Sequence, residues 1–145
     1  MQQNRAYSGE RQGESHRLSA GTGPLLAVLD LGTNNCRLLI ARSALPDNFR
    51  VVDSFSRIVR LGEGVGESGL LSDAAINRTI AALKVCAQRI SRHRVRHVRA
   101  IATQAARQAA NTDILIARAR DEAGIVLNVI SPEEEADLAA LGCAP

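Results

Sequence analysis

An acid followed by a polar turn is the feature of this chain most able to do chemistry. Asp30 ends an apolar run in the string LLAVLDLGTNNCRLLIAR at 25–42. The turn after it consists of Gly32, Thr33, Asn34 and Asn35. A carboxylate at a strand end can hold a hard cation or a water, and such a turn offers backbone N–H groups and side chains to phosphate oxygens. The combination suits a phosphate ester or anhydride bound with a divalent metal.

The same string also fits an ordinary hairpin, because glycine and the Asx residues are the usual turn formers. The spacing alone does not favour a phosphate site over a hairpin. The other candidate residues in the chain shift the balance towards the phosphate site. Cys36, which follows the turn, is interpreted as a small core residue of the next strand.

Arg107 is the second candidate. It lies in the string TQAARQAAN at 103–111, a few residues after a predicted strand. Ligands collect at the carboxyl ends of strands in open α/β sheets, and an arginine there can bind and neutralise a phosphoryl group in the transition state. Taken alone, Arg107 is better explained as an arginine on a surface helix.

Three consecutive acids, Glu133, Glu134 and Glu135, form the third candidate. Acids in a first helical turn complement the helix dipole, and Ser131 with Glu134 has the spacing of a capping box. Glu135 is the acid least required for capping. Near a cleft, one of these carboxylates could take a proton from an attacking water.

The basic run RISRHRVRHVR at 89–99 contains His93 and His97, whose spacing of four would place both on one helix face and allow metal binding. We expect the helix to end before Val95, which favours a solvated helix end. A weak surface that guides polyanions is an intermediate interpretation.

Composition limits the class of protein. The 145 residues support one domain, apolar residues make up 46% and aromatic residues 2%, so the core must be aliphatic and stacking on single-stranded nucleic acid is disfavoured. The net charge of +3 does not indicate a DNA-binding surface.

Three isolated cysteines predict free thiols in a reducing compartment. With no signal-like or membrane-spanning run, we expect a cytoplasmic protein without membrane contact.

Periodicity predicts an α/β fold with a mixed five-stranded sheet and helices on its faces. Residues 1–23 are interpreted as a disordered tail, and residues 61–69 as a flexible glycine-rich loop beside a cleft. The predicted elements are strands at 25–30, 36–42 and 49–60, a helix at 73–92 capped by Ser72, a strand at 96–102, short helices at 103–109 and 112–123, a strand at 125–130, and a last helix from Pro132 to Gly142.

Four strings resemble one family in order along the chain. VLDLGTNNCRLLIA is similar to the first phosphate loop of the exopolyphosphatase / guanosine pentaphosphate phosphohydrolase (Ppx/GppA) family. RLGEGVGESGLLSDAAINRTIAAL resembles the loop and helix that follow it there. IATQAARQAAN resembles the family's A-T-x-A-x-R-x-A-x-N segment, and GIVLNVISPEEEADL its segment with two adjacent glutamates. The match runs from about Leu25 to Gly142.

The resemblance implies a ribonuclease-H-like lobe of the actin-like ATPase superfamily, covering 24–145. Family members have two such lobes and, with Mg²⁺, release terminal phosphate from inorganic polyphosphate or from guanosine pentaphosphate. It implies that Glu135 is the general base, that Asp30 helps to hold the metal, and that Arg107 binds phosphate. The turn residues Gly32, Thr33, Asn34 and Asn35 would cradle phosphate.

The chain departs from the family pattern in three ways. Pro132 stands where glycine is usual and removes an N–H, and Asp137 stands where arginine is usual. A second phosphate loop of the form D-I-G-G-G-S-T is absent. The chain is therefore predicted to be the first lobe alone, and its exposed apolar surface predicts self-association into a homo-oligomer.

Three functions remain open from the sequence. The leading hypothesis is a phosphoanhydride hydrolase. The alternative is a catalytically incomplete lobe that binds polyphosphate or an alarmone without turnover. A kinase of the same superfamily is the third hypothesis, which the EEE cluster and the lack of an adenosine-binding lobe disfavour.

Overall fold

The computed structural model describes residues 22–44 and 48–142. The predicted tail at 1–23 and the predicted turn at 46–48 fall mainly outside these residues, as does Cys143. The strands are β1 (Leu25–Leu31), β2 (Asn35–Ser43), β3 (Phe49–Ile58), β4 (His97–Ala102) and β5 (Leu127–Val129). The helices are α1 (Val65–Ser68), α2 (Asp73–Arg92), α3 (Gln104–Gln108), α4 (Thr112–Ala123) and α5 (Pro132–Gly142).

The five strands form one mixed sheet in the order β3-β2-β1-β4-β5. Short connections make β1, β2 and β3 an antiparallel meander, whereas β4 pairs parallel to β1 and β5 parallel to β4. The prediction of a mixed five-stranded sheet in a ribonuclease-H-like lobe is confirmed. Because β1, β4 and β5 run in the same direction, their carboxyl ends meet at one edge, and the candidate residues follow those ends.

One face of the sheet forms the core. Alternate residues of β1, Ala27, Leu29 and Leu31, are buried there. The apolar stripe of α2 covers this face; its buried members include Ile76, Ile80 and Leu83. The predicted cap of α2 is confirmed, because the Ser72 hydroxyl accepts a hydrogen bond from the Ala75 N–H at 3.1 Å.

The opposite face carries Leu26, Val28 and Asp30 and is largely open. Leu26 is 42% and Val28 46% exposed, and α5 contains no buried residue. Among the described residues, α2 and α4 cover the core face, and nothing comparable covers the other face.

Two predicted segments differ from the structure. The expected irregular loop at 61–69 contains the helical turn α1, whose Val65 is buried; four residues are too few for a helical period to show in the sequence. The last strand is confined to Leu127–Val129, because Ile125 instead donates its N–H to Ala119 O and closes the end of α4. As an edge strand, β3 exposes Val51 and Ile58, both of which lie in its apolar pattern.

Helix α2 ends at Arg92, as expected from the sequence. Its end is a Schellman motif: Arg94 N–H donates to Ser91 O at 3.0 Å and Val95 N–H donates to Ile90 O at 3.1 Å. Arg94 takes the left-handed position with φ of 54°. His93 and His97 therefore lie on different elements and do not form the helical pair that a metal site would need.

Both cysteines in the described residues are free and buried, as predicted, with Cys36 Sγ 4.0 Å from Cys86 Sγ. None of the helices within 22–44 and 48–142 has the length and hydrophobicity that crossing a membrane requires.

Candidate functional site

The turn between β1 and β2 presents unused backbone donors. Leu31 pairs with Cys36 at the strand ends, and Gly32 N–H donates to Asn35 O at 3.0 Å. Within the described residues, the N–H groups of Thr33 and Asn34 donate to no protein acceptor. Two adjacent amides are thus left for a ligand, which is the arrangement that binds phosphate oxygens in anion-binding turns.

The segment after β3 fixes the shape of this turn. The Asn34 carbonyl accepts hydrogen bonds from Val59 N–H at 2.8 Å and from Arg60 N–H at 3.0 Å. The Thr33 carbonyl accepts one from Gly62 N–H at 3.0 Å. Because its carbonyls accept these hydrogen bonds, the turn is held in one conformation with its free N–H groups in fixed positions. This lowers the entropic cost of ligand binding.

Gly62 joins the turn to α3 by close contact. A Cβ at this position would collide with the Thr33 methyl and would lie 3.6 Å from Ala105 Cβ. Any other residue type would therefore have to displace the Thr33 side chain. This role was not predicted from the sequence, although the first glycine of LGEGVGESG was a signal that could have indicated it.

Backbone hydrogen bonds tie the three strand ends together. Thr103 N–H, just after β4, donates to Leu31 O at 3.1 Å, and Ile130 N–H, just after β5, donates to Ala102 O at 3.1 Å. Helix α3 starts at once after Thr103, so Arg107 lies one turn beyond the sheet edge. Helix α5 starts two residues after Ile130, so its first turn lies at the same edge.

Arg107 and Glu135, predicted separately from two strings, are in direct contact. Arg107 Nη1 and Nη2 each donate to Glu135 Oε2 at 3.0 Å, and Nη1 also donates to Ile130 O at 2.8 Å. The Arg107 side chain is 20% exposed and that of Glu135 46%. These three bonds occupy three of the five N–H donors of a guanidinium, so two remain for a ligand.

The first turn of α5 distinguishes the three acids. Ser131 and Glu134 form the predicted capping box: Glu134 N–H donates to Ser131 Oγ at 3.1 Å and Ser131 N–H donates to Glu134 Oε2 at 3.0 Å. Glu133 is exposed and has no side-chain partner among the described residues. Only Glu135 turns to the sheet edge, so the acid not needed for capping is the one placed beside Arg107.

Asp30 is the unsatisfied charge of the site. It lies opposite Arg37 in the β1–β2 register and lines a hollow of about 580 Å³ on the open face. Within the described residues, its carboxylate makes no hydrogen bond or ion pair. Burial raises the pKa of Asp30, the Arg37 guanidinium partly opposes this, and the Glu135 carboxylate raises it further. The Glu135 charge therefore influences Asp30, although Arg107 pairs with Glu135 and Arg37 partly offsets the effect of burial on Asp30.

This donor set fits a magnesium ion, although it would be a partial set. Mg²⁺ is usually held by one or two carboxylates together with water and substrate phosphates. Asp30 and Glu135 are two such acids, and a nearby cation would offset the burial that chiefly raises the Asp30 pKa and the smaller contribution of the Glu135 charge. In the part of the chain that the structure describes, no cluster of three metal-ligating side chains exists.

The chain is similar to a family of phosphatases over most of its length. The model of the Ppx/GppA phosphatase family matches residues 39–145. Exopolyphosphatase 2 of Mycobacterium tuberculosis is 40% identical over 81% of this chain and 39% of that protein. The guanosine-5'-triphosphate,3'-diphosphate pyrophosphatase of Vibrio vulnificus is 34% identical over 81% of this chain and 23% of that protein.

Solved structures agree with these matches. The Aquifex aeolicus member of the Ppx/GppA family superposes with a TM-score of 0.76 at 35% identity, covering 82% of this chain and 39% of that one. An exopolyphosphatase from Cytophaga hutchinsonii superposes with a TM-score of 0.74 at 32% identity, covering 79% and 36%. The chain thus spans about two-fifths or less of the length of these relatives.

Proposed function

Because the chain belongs to the Ppx/GppA phosphatase family, we propose that it acts in hydrolysis of the terminal phosphoanhydride bond of inorganic polyphosphate or guanosine pentaphosphate. The contact between Arg107 and Glu135 carries this proposal. It brings a guanidinium and a carboxylate together at one sheet edge, beside a turn with free N–H groups, and this supports the proposed roles of phosphate binding and water activation. Phosphoryl transfer to water needs both a group that binds the phosphate and a group that orients the attacking water.

In the proposed reaction, the free amides of Thr33 and Asn34 and the remaining donors of Arg107 bind the terminal phosphoryl group. Water attacks its phosphorus in line, the bridging P–O bond breaks, and Glu135 takes the proton of the water. The anchor from Arg107 to Ile130 O keeps the guanidinium in place when phosphate oxygens compete with Glu135 for it. That competition would free the Glu135 carboxylate to act as a base.

A bound Mg²⁺ would supply charge neutralisation for the phosphate oxygens. Asp30 would hold the ion or its water, which suits a half-buried carboxylate that has no hydrogen-bond partner in the described residues. The role of the chain itself is to keep that carboxylate on the open face, close enough to Glu135 for the two charges to interact.

The test is release of phosphate, with Mg²⁺, from long-chain polyphosphate and from guanosine pentaphosphate by the full chain. Glu135→Gln should lower the rate by about 10²- to 10⁴-fold, the usual contribution of a general base. Glu133→Gln is the matched control, since it removes the same charge from the same helical turn but touches nothing at the sheet edge. Equal rates in the two variants would contradict the assignment of Glu135.

Binding without turnover is the second candidate, favoured by the ion pair with Arg107 that occupies the Glu135 carboxylate. Calorimetric binding of polyphosphate with no phosphate release would support it. We also propose that the open sheet face drives self-association; a particle of 15.5 kDa, the mass of one chain, in light scattering would contradict that part.

A further inference from the structure

We propose that Arg60 is a further phosphate-binding residue, which supplies a second cation at the turn and thereby favours condensed phosphates over orthophosphate. The proposal rests on the proposed function, since it assigns a specificity residue to the same site. Neither the Asp30 turn, nor Arg107, nor the acidic cluster includes this residue, which lies in the connection between β3 and α1.

The location of Arg60 is fixed by the turn itself. Its N–H donates to Asn34 O at 3.0 Å, so its Cα lies next to the residue whose own N–H is free. Two residues later, Gly62 is wedged between Thr33 and Ala105. Arg60 therefore belongs to the short segment that lies against both the turn and α3, the helix that carries Arg107.

The backbone of Arg60 is held from its other side by α2. Arg78 Nε donates to Val59 O at 2.8 Å, and Arg78 Nη2 approaches Arg60 O at 3.4 Å. Arg78 also pairs with Glu63 at 2.8 Å. Glu63, the acid nearest to Arg60 in sequence, is thereby engaged elsewhere and does not neutralise it.

The side chain of Arg60 is exposed and makes no hydrogen bond or ion pair within the described residues. Its neighbours Val59 and Leu61 are fully buried. The backbone thus holds both flanking residues in the core and leaves the Arg60 side chain exposed, on a residue that is hydrogen-bonded to the turn. A guanidinium is suited to bidentate binding of phosphate oxygens.

Arg60 occupies this position in an unfavourable conformation. Its φ is 49°, a left-handed value that glycine and asparagine adopt far more readily. Arg94 is the other non-glycine residue with positive φ in the described part of the chain, and the Schellman motif of α2 accounts for it. No helix end accounts for Arg60. Strained residues of this kind concentrate where their side chains bind ligands.

The two arginines provide a matched pair of variants. Arg60→Gly and Arg94→Gly both relieve a left-handed backbone and remove one charge, so both should fold at least as well as the wild type. Titration with tripolyphosphate by calorimetry should show about 10- to 100-fold weaker binding for Arg60→Gly, the loss of one charge-assisted contact. Arg94→Gly should bind like the wild type, and Arg60→Lys should recover part of the affinity. Orthophosphate should distinguish wild type from Arg60→Gly less than tripolyphosphate does.

Each outcome decides the proposal. Equal tripolyphosphate affinity in the wild type and Arg60→Gly would overturn it and leave the proposed function intact. Equal losses in both glycine variants would also overturn it, because net charge alone would then explain the effect. If the wild type binds no tripolyphosphate at millimolar concentration, the phosphate site fails as a whole and Arg60 has nothing to bind.

Discussion

Asp30 and Asp53 are both partly buried acids on the same sheet, and their surroundings are opposite. Asp53, on β3, accepts a bond from Arg89 at 2.7 Å and contacts His93 Nε2 at 3.1 Å, with its side chain 19% exposed. Burial tends to raise the pKa of Asp53, but the His93 hydrogen bond and the Arg89 charge outweigh it and the pKa is lowered. Asp30 has no such partner in the described chain, and its pKa is raised.

The difference in surroundings indicates a structural role for Asp53 and a functional role for Asp30 on the same sheet. Arg89 also stacks over the Phe55 ring at 5.2 Å, so the Asp53 cluster joins α2 to the edge strand through charge and packing together. Asp30, two strands away, has no hydrogen bond or ion pair in the described residues, and Arg37 only partly offsets its burial. A fold that leaves a buried charge unsatisfied is less stable for it, and such positions concentrate at binding and catalytic sites.

The largest effect should come from Asp30→Asn. If Asp30 holds the metal, phosphate release should fall by at least about 100-fold, because charge neutralisation by a metal contributes several kcal/mol to such reactions. Asp53→Asn should leave the rate within about twofold of the wild type, since the Asp53 cluster lies away from the sheet edge. A comparable loss in both variants would mean that Asp30 acts through the fold and not at the site.

The same two substitutions should have a smaller effect on stability, and here Asp53→Asn should be the more damaging one. Asp53→Asn should lower the free energy of unfolding by about 1 kcal/mol, as expected for a partly exposed ion pair. Asp30→Asn should raise it slightly, of the order of 0.5 kcal/mol after solvent screening, because a disfavoured charge is removed. Urea denaturation monitored by circular dichroism measures both. A destabilised Asp30→Asn protein would show that Asp30 is satisfied in the folded chain.

The smallest effect is the pH dependence of these differences. Asp53 has a lowered pKa, so its stabilisation is present above the ordinary value of 3.8 and is lost as the pH falls through its folded-state pKa. Asp30 has a raised pKa, so its cost is present above that pKa and disappears as the pH falls towards 3.8. The free energy of unfolding of each variant, measured by urea titration between pH 3 and 7, should therefore approach that of the wild type as the pH is lowered. Differences that stay constant with pH would argue against both carboxylates as the cause.

Local patterns in the sequence were sufficient for much of the fold. The stripe of α2 and the capping box of Ser131 and Glu134 depend on neighbours within four residues, and both were predicted correctly. The helical turn α1 was missed because four residues give no periodicity. The exposure of Val51 on β3 was missed because alternation does not show that a strand lies at an edge.

The site could be predicted only in part from the sequence, because it depends on how segments far apart in the chain pair in the sheet. Arg107 and Glu135 were singled out individually, but their contact follows from the pairing of β4 with β5. The left-handed backbone of Arg60 and the support that it gives to the turn have no local signature. The functional roles of the predicted site residues remain predictions.

The central claim is that the carboxyl edge of β1, β4 and β5 binds condensed phosphate, and amide chemical-shift mapping of the full chain tests it most directly. Tripolyphosphate with Mg²⁺ should shift the amides of 32–35, Arg60, Arg107 and Glu135. The amides of Asp53, Arg89 and His93 should stay unchanged. Shifts confined to the basic run at 89–99, or no shifts at the sheet edge at saturating ligand, would contradict the account.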